Sequence, residues 1–99
     1  MVDRMKNLYT IVGMKHRPGA SGIVAAMKAG EPLTLRRDPN NEHDRFAVQV
    51  WCRDVHVAFI KGSEVQPLAV AMDASNELMR PATLVYDGTR WPLAEVDDG

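Results

Sequence analysis

The chain has 99 residues, of which 45% are apolar and 25% are charged, as in an ordinary soluble domain with one hydrophobic core. A single cysteine, Cys52, excludes an internal disulfide framework, and the net charge of −1 does not by itself indicate a nucleic-acid-binding protein. No apolar run approaches the ~20 residues of a membrane helix, and the N-terminus lacks the apolar segment of a signal peptide. We therefore expect a cytoplasmic protein in a reducing setting.

The charge is distributed unevenly along the chain. Residues 1–61 contain ten Lys or Arg and six Asp or Glu, a balance of +4, whereas residues 62–99 contain two and seven, a balance of −5. The first part could therefore carry a local basic face. The alternative is an ordinary solvated surface followed by an acidic tail.

The first two predicted elements are a strand and a short helix. The segment LYTIVGM predicts a strand over 8–14, and the turn-forming Pro-Gly pair of KHRPG follows it. The segment SGIVAAMKAG predicts a helix over 21–30. Ser21 is its expected N-cap, and Gly30 suits the left-handed conformation that ends many helices.

Three strands are predicted next. Apolar and polar residues alternate with period two over 31–37 and over 46–53, which is typical of half-buried strands. A third strand is predicted over 55–60, after a turn centred on Arg53-Asp54. Arg36 and Arg37 are both predicted to be outward strand residues, with contact in a binding groove as the alternative.

The last predicted elements are a helix and two strands. Ser63 and Gln66 have the spacing of a capping box, which predicts a helix that begins at Ser63 and continues to about Asp73. Strands are predicted over 82–86 and 91–96, around a turn at 87–89. Six short strands and two short helices predict a mainly β, single-domain fold over 1–99, with a core over about 8–96, closed or partly closed into a small barrel.

The loop between the second and third predicted strands is far more polar than a hairpin connection requires. Residues 38–45, with the sequence DPNNEHDR, contain five ionisable side chains and two asparagines. This density of polar groups raises the question of a site.

The residues around this loop resemble the HIRAN domain. The resemblance runs from about Tyr9 to Met72, through IVGMKHRPGA, GEPLTLRRDPNNEHDRFAVQV and VHVAFIKG. These three segments are similar, in order, to the family's first strand ending in V-G, its L-x-R-E-P-x-N-P-Y-D-x-N-A-V-x-V signature and its V-G-x-I strand. The resemblance implies an OB-like β-barrel with two helices. It also implies a non-catalytic module that binds single-stranded DNA at a free 3′ end in DNA repair, replication or remodelling, here as a stand-alone member of bacterial or phage type.

The resemblance also implies roles for individual residues. Asp44 matches the acidic residue of the signature, and its carboxylate could accept a hydrogen bond from a terminal 3′-hydroxyl while repelling a phosphate. Asn41 matches the signature's asparagine and could brace the loop or offer its amide to the sugar. Lys15 and Lys61 match basic positions that could hold phosphates of the DNA.

Three further residues complete the implied DNA-binding set. His16 and Arg17 stand where the family usually has tyrosines, and both can stack on bases through flat side chains. Phe59 occupies the variable position of the V-G-x-I strand. The expected partners are single-stranded DNA or DNA 3′ ends, with a helicase or another DNA-processing protein as the expected protein partner.

Several alternatives stay open at this point. Asp44 could cap a turn through its own backbone, Phe59 could belong to the core, and Trp51 could pack under the C-terminal segment or serve as a platform for a base. No His, Cys or carboxylate pair has a recognised zinc-ligand spacing, and no phosphate-binding glycine motif is present, so we expect no metal, no cofactor and no enzymatic activity. The alternative function is that of a protein–protein adaptor, or a phage accessory protein, that uses the same barrel without DNA.

Overall fold

The computed structural model describes residues 6–13, 21–86 and 92–97. Within these ranges the chain forms β1 (Lys6–Val12), α1 (Ser21–Ala26), β2 (Pro32–Arg37), β3 (Val48–Cys52), β4 (Val55–Ile60), α2 (Val65–Ala74), β5 (Met79–Val85) and β6 (Leu93–Asp97). Each predicted strand and helix is present, with its ends shifted by a few residues. No helix in these ranges is both long and apolar enough to span a membrane.

The six strands close into an antiparallel barrel in the order β1-β4-β3-β2-β5-β6, with β6 next to β1. The predicted mainly β, barrel-shaped fold is therefore confirmed. The contact between β1 and β4 is short, since it pairs only Ile11 with Ile60 and Val12 with Phe59. The barrel wall is therefore least extensive at this seam.

The core follows from the period-two patterns. In β2 buried and exposed residues alternate strictly, which places Leu33 and Leu35 inside, and in β3 Val48, Val50 and Cys52 are buried. The α2 side chains Leu68 and Met72 are fully buried against the barrel. Each fully buried side chain of this size contributes roughly 1.5–3 kcal/mol. Surface ion pairs contribute about 0–1 kcal/mol, so apolar packing is the main stabilising term.

The turn between β3 and β4 is the predicted one. Arg53 and Asp54 have φ values of 52° and 64°, so both central residues of this two-residue turn are left-handed. Such a turn matches the twist of the two strands that it joins. The Arg53 side chain then returns to Glu31, just before β2, with an Nε–Oε1 distance of 2.7 Å.

The first helix is shorter than predicted. It extends over Ser21–Ala26 and so ends four residues before the predicted end. Gly30 does adopt a left-handed conformation, with φ of 90°, but in the turn that leads into β2. There its N–H donates to the Leu84 carbonyl at 2.7 Å, which ties the start of β2 to β5.

The predicted capping box at the start of α2 is wrong. The N-cap is Glu64, no side chain caps the helix, and the first helical residue is Val65. The Glu64 carboxylate instead accepts hydrogen bonds from the Thr10 N–H and the Thr10 hydroxyl, each at 2.8 Å. A contact between residues 54 positions apart therefore decides how this helix begins.

The prediction that Arg37 points outward is also wrong. Arg37 continues the inward face of Leu33 and Leu35 and is only 8% exposed. Its guanidinium donates to both carboxylate oxygens of Asp73 in α2, at 2.9 and 3.1 Å, and to the Ala47 carbonyl at 3.0 Å. A buried charge needs such partners, and here they join α2 to the end of the polar loop. Arg36, by contrast, is exposed as predicted.

Candidate functional site

A groove of about 420 Å³ opens beside the β1–β4 seam. Its apolar lining comes from the ends of β1 and β4 and from the residue before β3, and its polar lining comes from the loop that connects β2 to β3. The lining residues are Val12, Asn41, His43, Asp44, Ala47, Phe59, Ile60 and Gly62. Three residues predicted from the sequence, Asn41, Asp44 and Phe59, are therefore brought together in one concave site.

The polar loop, residues 38–47, is held in shape by Asn41. Its amide nitrogen donates to Asp38 Oδ2 at 3.1 Å, and its amide oxygen accepts the N–H groups of His43 and Asp44 at 2.9 and 3.1 Å. The backbone adds a hydrogen bond from Asp38 N–H to the Ala47 carbonyl, which closes the loop. The Asn41 amide therefore makes its hydrogen bonds within the loop, which corresponds to the bracing role, one of the two roles expected for this residue.

Asp44 lies at the rim of the groove and is half-buried. One carboxylate oxygen, Oδ1, accepts the Phe46 N–H at 2.8 Å, which is the local turn contact expected of aspartate in this position. Within the described residues no hydrogen bond engages the other oxygen, Oδ2. The carboxylate therefore caps its own turn and also presents one acceptor at the groove.

Phe59 forms part of the groove wall and is half-buried. Its Cα pairs with Val12 of β1 on one side and with Gln49 of β3 on the other, and its ring meets the His56 ring edge-on, with centroids 4.8 Å apart. Phe59 is therefore a surface aromatic and not a barrel-core residue. Lys61 lies between two lining residues, Ile60 and Gly62, and its side chain is exposed.

Three predicted site residues, Lys15, His16 and Arg17, lie outside the described residues. Gly13 follows the last residue of β1 and has a φ of 83°. A Cβ at this position would lie 4.0 Å from the Phe59 ring, an ordinary contact, so the left-handed backbone is the reason that glycine suits this position. The chain thus leaves β1 directly beside the groove.

The Trp51 ring contacts side chains from both strands that flank β3. It stacks on His56, with centroids 5.5 Å apart and planes 13° apart, and the Arg36 guanidinium lies over the same ring at 4.1 Å from its centroid. The indole N–H donates to Gln49 Oε1 at 2.8 Å. Because Gln49 also donates to Asp38, the Trp51 side chain is linked by hydrogen bonds to the loop that carries Asp44.

The apolar part of the groove was not predicted. Val12, Ile60 and Ala47 belong to three separate segments that only the strand register brings side by side. The apolar residues of β1 and β4 indicate strands and carry no signal for a groove. His43, next to Asp44 in the polar loop, also lines the site.

The ionisable groups with shifted pKa values lie away from the groove. Hydrogen bonds from the Arg53 guanidinium lower the pKa of Glu31. The pKa of the Cys52 thiol is raised, mainly by burial and to a lesser extent by the negative charge of Glu31. Cys52 is therefore a protonated, buried wall residue rather than a nucleophile. Among the residues that the structure describes, no three His, Cys, Asp or Glu side chains are grouped so that they could hold a metal ion.

Comparison with known proteins identifies the family. A model of the HIRAN domain family matches residues 8–91, most of the chain. The fold is similar to that of a crystallised protein from Lactobacillus plantarum, with a TM-score of 0.73 and 18% identity over 94% of this chain and 95% of that one. It is also similar to the HIRAN domain of human HLTF, with a TM-score of 0.70 and 22% identity over 93% of this chain and 74% of that one. No curated protein matches the sequence significantly.

The family match covers both faces of the groove, from β1 through the polar loop to the end of β4. HIRAN domains are DNA-binding modules, in agreement with the nucleic-acid-binding role expected from the sequence. The chain belongs to the HIRAN domain family.

Proposed function

We propose that this protein binds single-stranded DNA at a free 3′ end and that the terminal nucleotide occupies the groove beside the β1–β4 seam. The observation that carries the proposal is the Asp44 carboxylate. It is fixed by its turn at the rim of an otherwise largely apolar groove, and within the described residues its Oδ2 atom is not hydrogen-bonded.

The chemistry of the groove suits a strand terminus. A free 3′ end differs from an internal position by one hydroxyl, and a carboxylate accepts a hydrogen bond from that hydroxyl while it repels a phosphate placed there. Val12, Phe59 and Ile60 line the groove and offer apolar surface to the base or sugar. The groove volume of about 420 Å³ falls within the range of roughly 300–1,000 Å³ for small-ligand sites.

On this proposal, two lysines supply positive charge for the DNA backbone. Lys61 stands with an exposed side chain next to Ile60 and Gly62. Lys15 is two positions after Gly13 in the sequence and lies outside the described residues. On this proposal Lys15 and Lys61 contact phosphates, and His16 and Arg17 stack on bases, as the family resemblance implies.

The biological setting that we propose is DNA repair, replication or remodelling in the cytoplasm, with a helicase or another DNA-processing protein as partner. The protein would act there as a binding module without catalysis of its own. The family, whose members include DNA-binding domains of larger remodelling enzymes, supports this setting.

The proposal is tested by measuring the affinity for a fluorescent single-stranded oligonucleotide over a series of salt concentrations. Lys61→Ala and Lys15→Ala should each weaken binding and reduce the slope of log K against log salt by about 0.7–1 unit, the value for one lost phosphate contact. Lys28→Ala is the matched control. It removes the same charge from an exposed residue that precedes β2, at the opposite end of that strand from the polar loop.

Affinity that is unchanged in both groove variants, or equally reduced in the Lys28→Ala control, would contradict the proposal. Binding without salt dependence would do so as well. Such results would favour the protein–protein adaptor instead.

A further inference from the structure

Two described arginines carry a charge that no described carboxylate balances. Arg36 lies over the Trp51 ring, with its guanidinium carbon 4.1 Å from the ring centroid, and Arg45 lies over the Phe46 ring at 4.9 Å. The other described arginines are each paired with a carboxylate: Arg37 with Asp73, Arg53 with Glu31 and Arg80 with Glu77. Contact with a ring leaves the guanidinium charge available to an anion. Of the Arg36 nitrogens, one donates to the Met79 sulfur at 3.8 Å, a weak acceptor.

Trp51 is a rigid support for Arg36. Its strand, β3, lies between β2, which carries Arg36, and β4, which carries the stacked His56. The Trp51 indole N–H is fixed by Gln49 at 2.8 Å, and His56 Nε2 donates to the Ala58 carbonyl at 3.0 Å. A planar cation held on such a support loses little further freedom when it binds an anion.

Arg36 and the groove lie on one continuous outer face. The strand register places Phe59 of β4 opposite Gln49 of β3, and Gln49 opposite Arg36 of β2. Opposed residues of antiparallel strands point to the same face of a sheet, and two strand spacings separate Phe59 from Arg36 by about 10 Å. A path across the sheet from Phe59 in the groove wall therefore passes Gln49 and reaches Arg36.

This outer face differs in charge from the face across the barrel. The outward residues of β2, β3 and β4 around this path are neutral or basic; they are Thr34, Arg36, Gln49, Trp51, His56 and Phe59. Arg36 and Trp51 also line a shallow hollow of about 450 Å³, where the one described carboxylate is that of Asp54 in the β3–β4 turn. On β6, by contrast, Glu95 and Asp97 lie along a separate depression. A polyanion that leaves the groove is favoured on the first face and repelled from the second.

We propose that Arg36 binds a backbone phosphate of the DNA strand that leaves the groove, so that the strand crosses the outer face of β4, β3 and β2. This inference rests on the proposed function and extends its binding site beyond the terminal nucleotide. The distance of about 10 Å corresponds to about three nucleotides at the ~3.4 Å spacing of a stacked strand. The guanidinium can donate two parallel hydrogen bonds to one phosphate.

The test compares two single-stranded oligonucleotides that share the same 3′ end. One has about two nucleotides and reaches only the groove, and the other has about eight and reaches past Arg36. Arg36→Gln should weaken binding of the longer oligonucleotide by about three- to tenfold and lower its salt slope by about 0.7 unit. It should leave the affinity for the shorter one unchanged. Trp51→Ala, which removes the ring that supports Arg36, should also weaken binding of the longer oligonucleotide.

The matched control is Arg80→Gln, because Arg80 is held by Glu77 at 2.9 Å and its removal changes the net charge by the same amount. The inference would be overturned if the Arg36 and Arg80 variants lost affinity equally, or if Arg36→Gln lost the same affinity for both oligonucleotide lengths. An Arg36→Gln variant that binds the longer oligonucleotide as wild type does would also overturn it. Wild-type protein that binds neither length would contradict the proposed function itself, and the inference with it.

Discussion

Asn41 holds the loop that carries Asp44 by using both ends of its amide. The nitrogen donates to Asp38 and the oxygen accepts the N–H groups of His43 and Asp44. The loop is therefore shaped before any ligand arrives, and Asp44 needs little reorganisation to meet a hydroxyl. The role of Asn41 follows from neighbours within three residues, which is why the sequence could predict the brace.

The ion pair between Glu31 and Arg53 makes the stability of the barrel depend on pH. Arg53 donates to both carboxylate oxygens of Glu31, at 2.7 and 3.2 Å, and these hydrogen bonds lower the pKa of Glu31 from its usual value of 4.5. A carboxyl whose pKa is lower in the folded than in the unfolded state stabilises the fold at pH values above its unfolded-state pKa. This stabilisation is lost as the pH falls through the folded-state pKa.

We therefore expect the difference in unfolding free energy between wild type and Glu31→Gln to be largest above pH 4.5 and to shrink at lower pH. Chemical denaturation at a series of pH values measures it. Glu42→Gln is the control for loss of an exposed carboxylate that has no ion pair among the described residues. A Glu31→Gln difference that grows on acidification would contradict the assignment.

At the scale of elements, Glu64 connects three parts of the barrel. It precedes α2, follows the end of β4 and accepts two hydrogen bonds from Thr10 in β1. The Lys61 N–H adds a bond to the Thr10 carbonyl at 2.9 Å. Because β1 and β4 pair over only two positions, this side chain extends the seam beside which the groove opens.

Replacing Glu64 should accordingly affect the stability of the seam. Glu64→Ala leaves the Thr10 N–H without its partner and should lower the free energy of unfolding by about 1–3 kcal/mol. Glu64→Gln keeps an acceptor for the N–H and a donor for the hydroxyl, and should lose less. Thermal unfolding of both variants, together with hydrogen exchange at Thr10, measures the effect. Equal loss in the two variants would show that the hydrogen bonds are not the source of stability.

The same element shows what the sequence could and could not predict. The strand β4 and its turn were predicted with correct bounds, because strand propensity and turn propensity are local properties. The capping box at Ser63 was wrong, since the competing partner of Glu64 lies 54 residues away. The inward position of Arg37 was missed for a similar reason, because its partner Asp73 comes from α2.

At the scale of the whole molecule, the barrel turns the charge asymmetry of the sequence into two different faces. The basic and aromatic side chains of β2, β3 and β4 surround the route from the groove to Arg36, whereas Glu95 and Asp97 lie on β6. The sequence predicted the polar rim of the site, which is local to one loop. It could not predict that Val12 lines the site beside Phe59, because the two residues become neighbours only when the barrel closes.

The most direct test of the central claim is a competition among three single-stranded DNAs: one with a 3′-hydroxyl, one with a 3′-phosphate and one circular. The 3′-hydroxyl strand should bind more tightly than the other two by about 1–3 kcal/mol, the scale of leaving a polar group unpaired. Asp44→Asn, which can still accept the Phe46 N–H but lacks the charge, should narrow the gap between the two linear strands. Equal affinity for all three DNAs would contradict 3′-end recognition through Asp44.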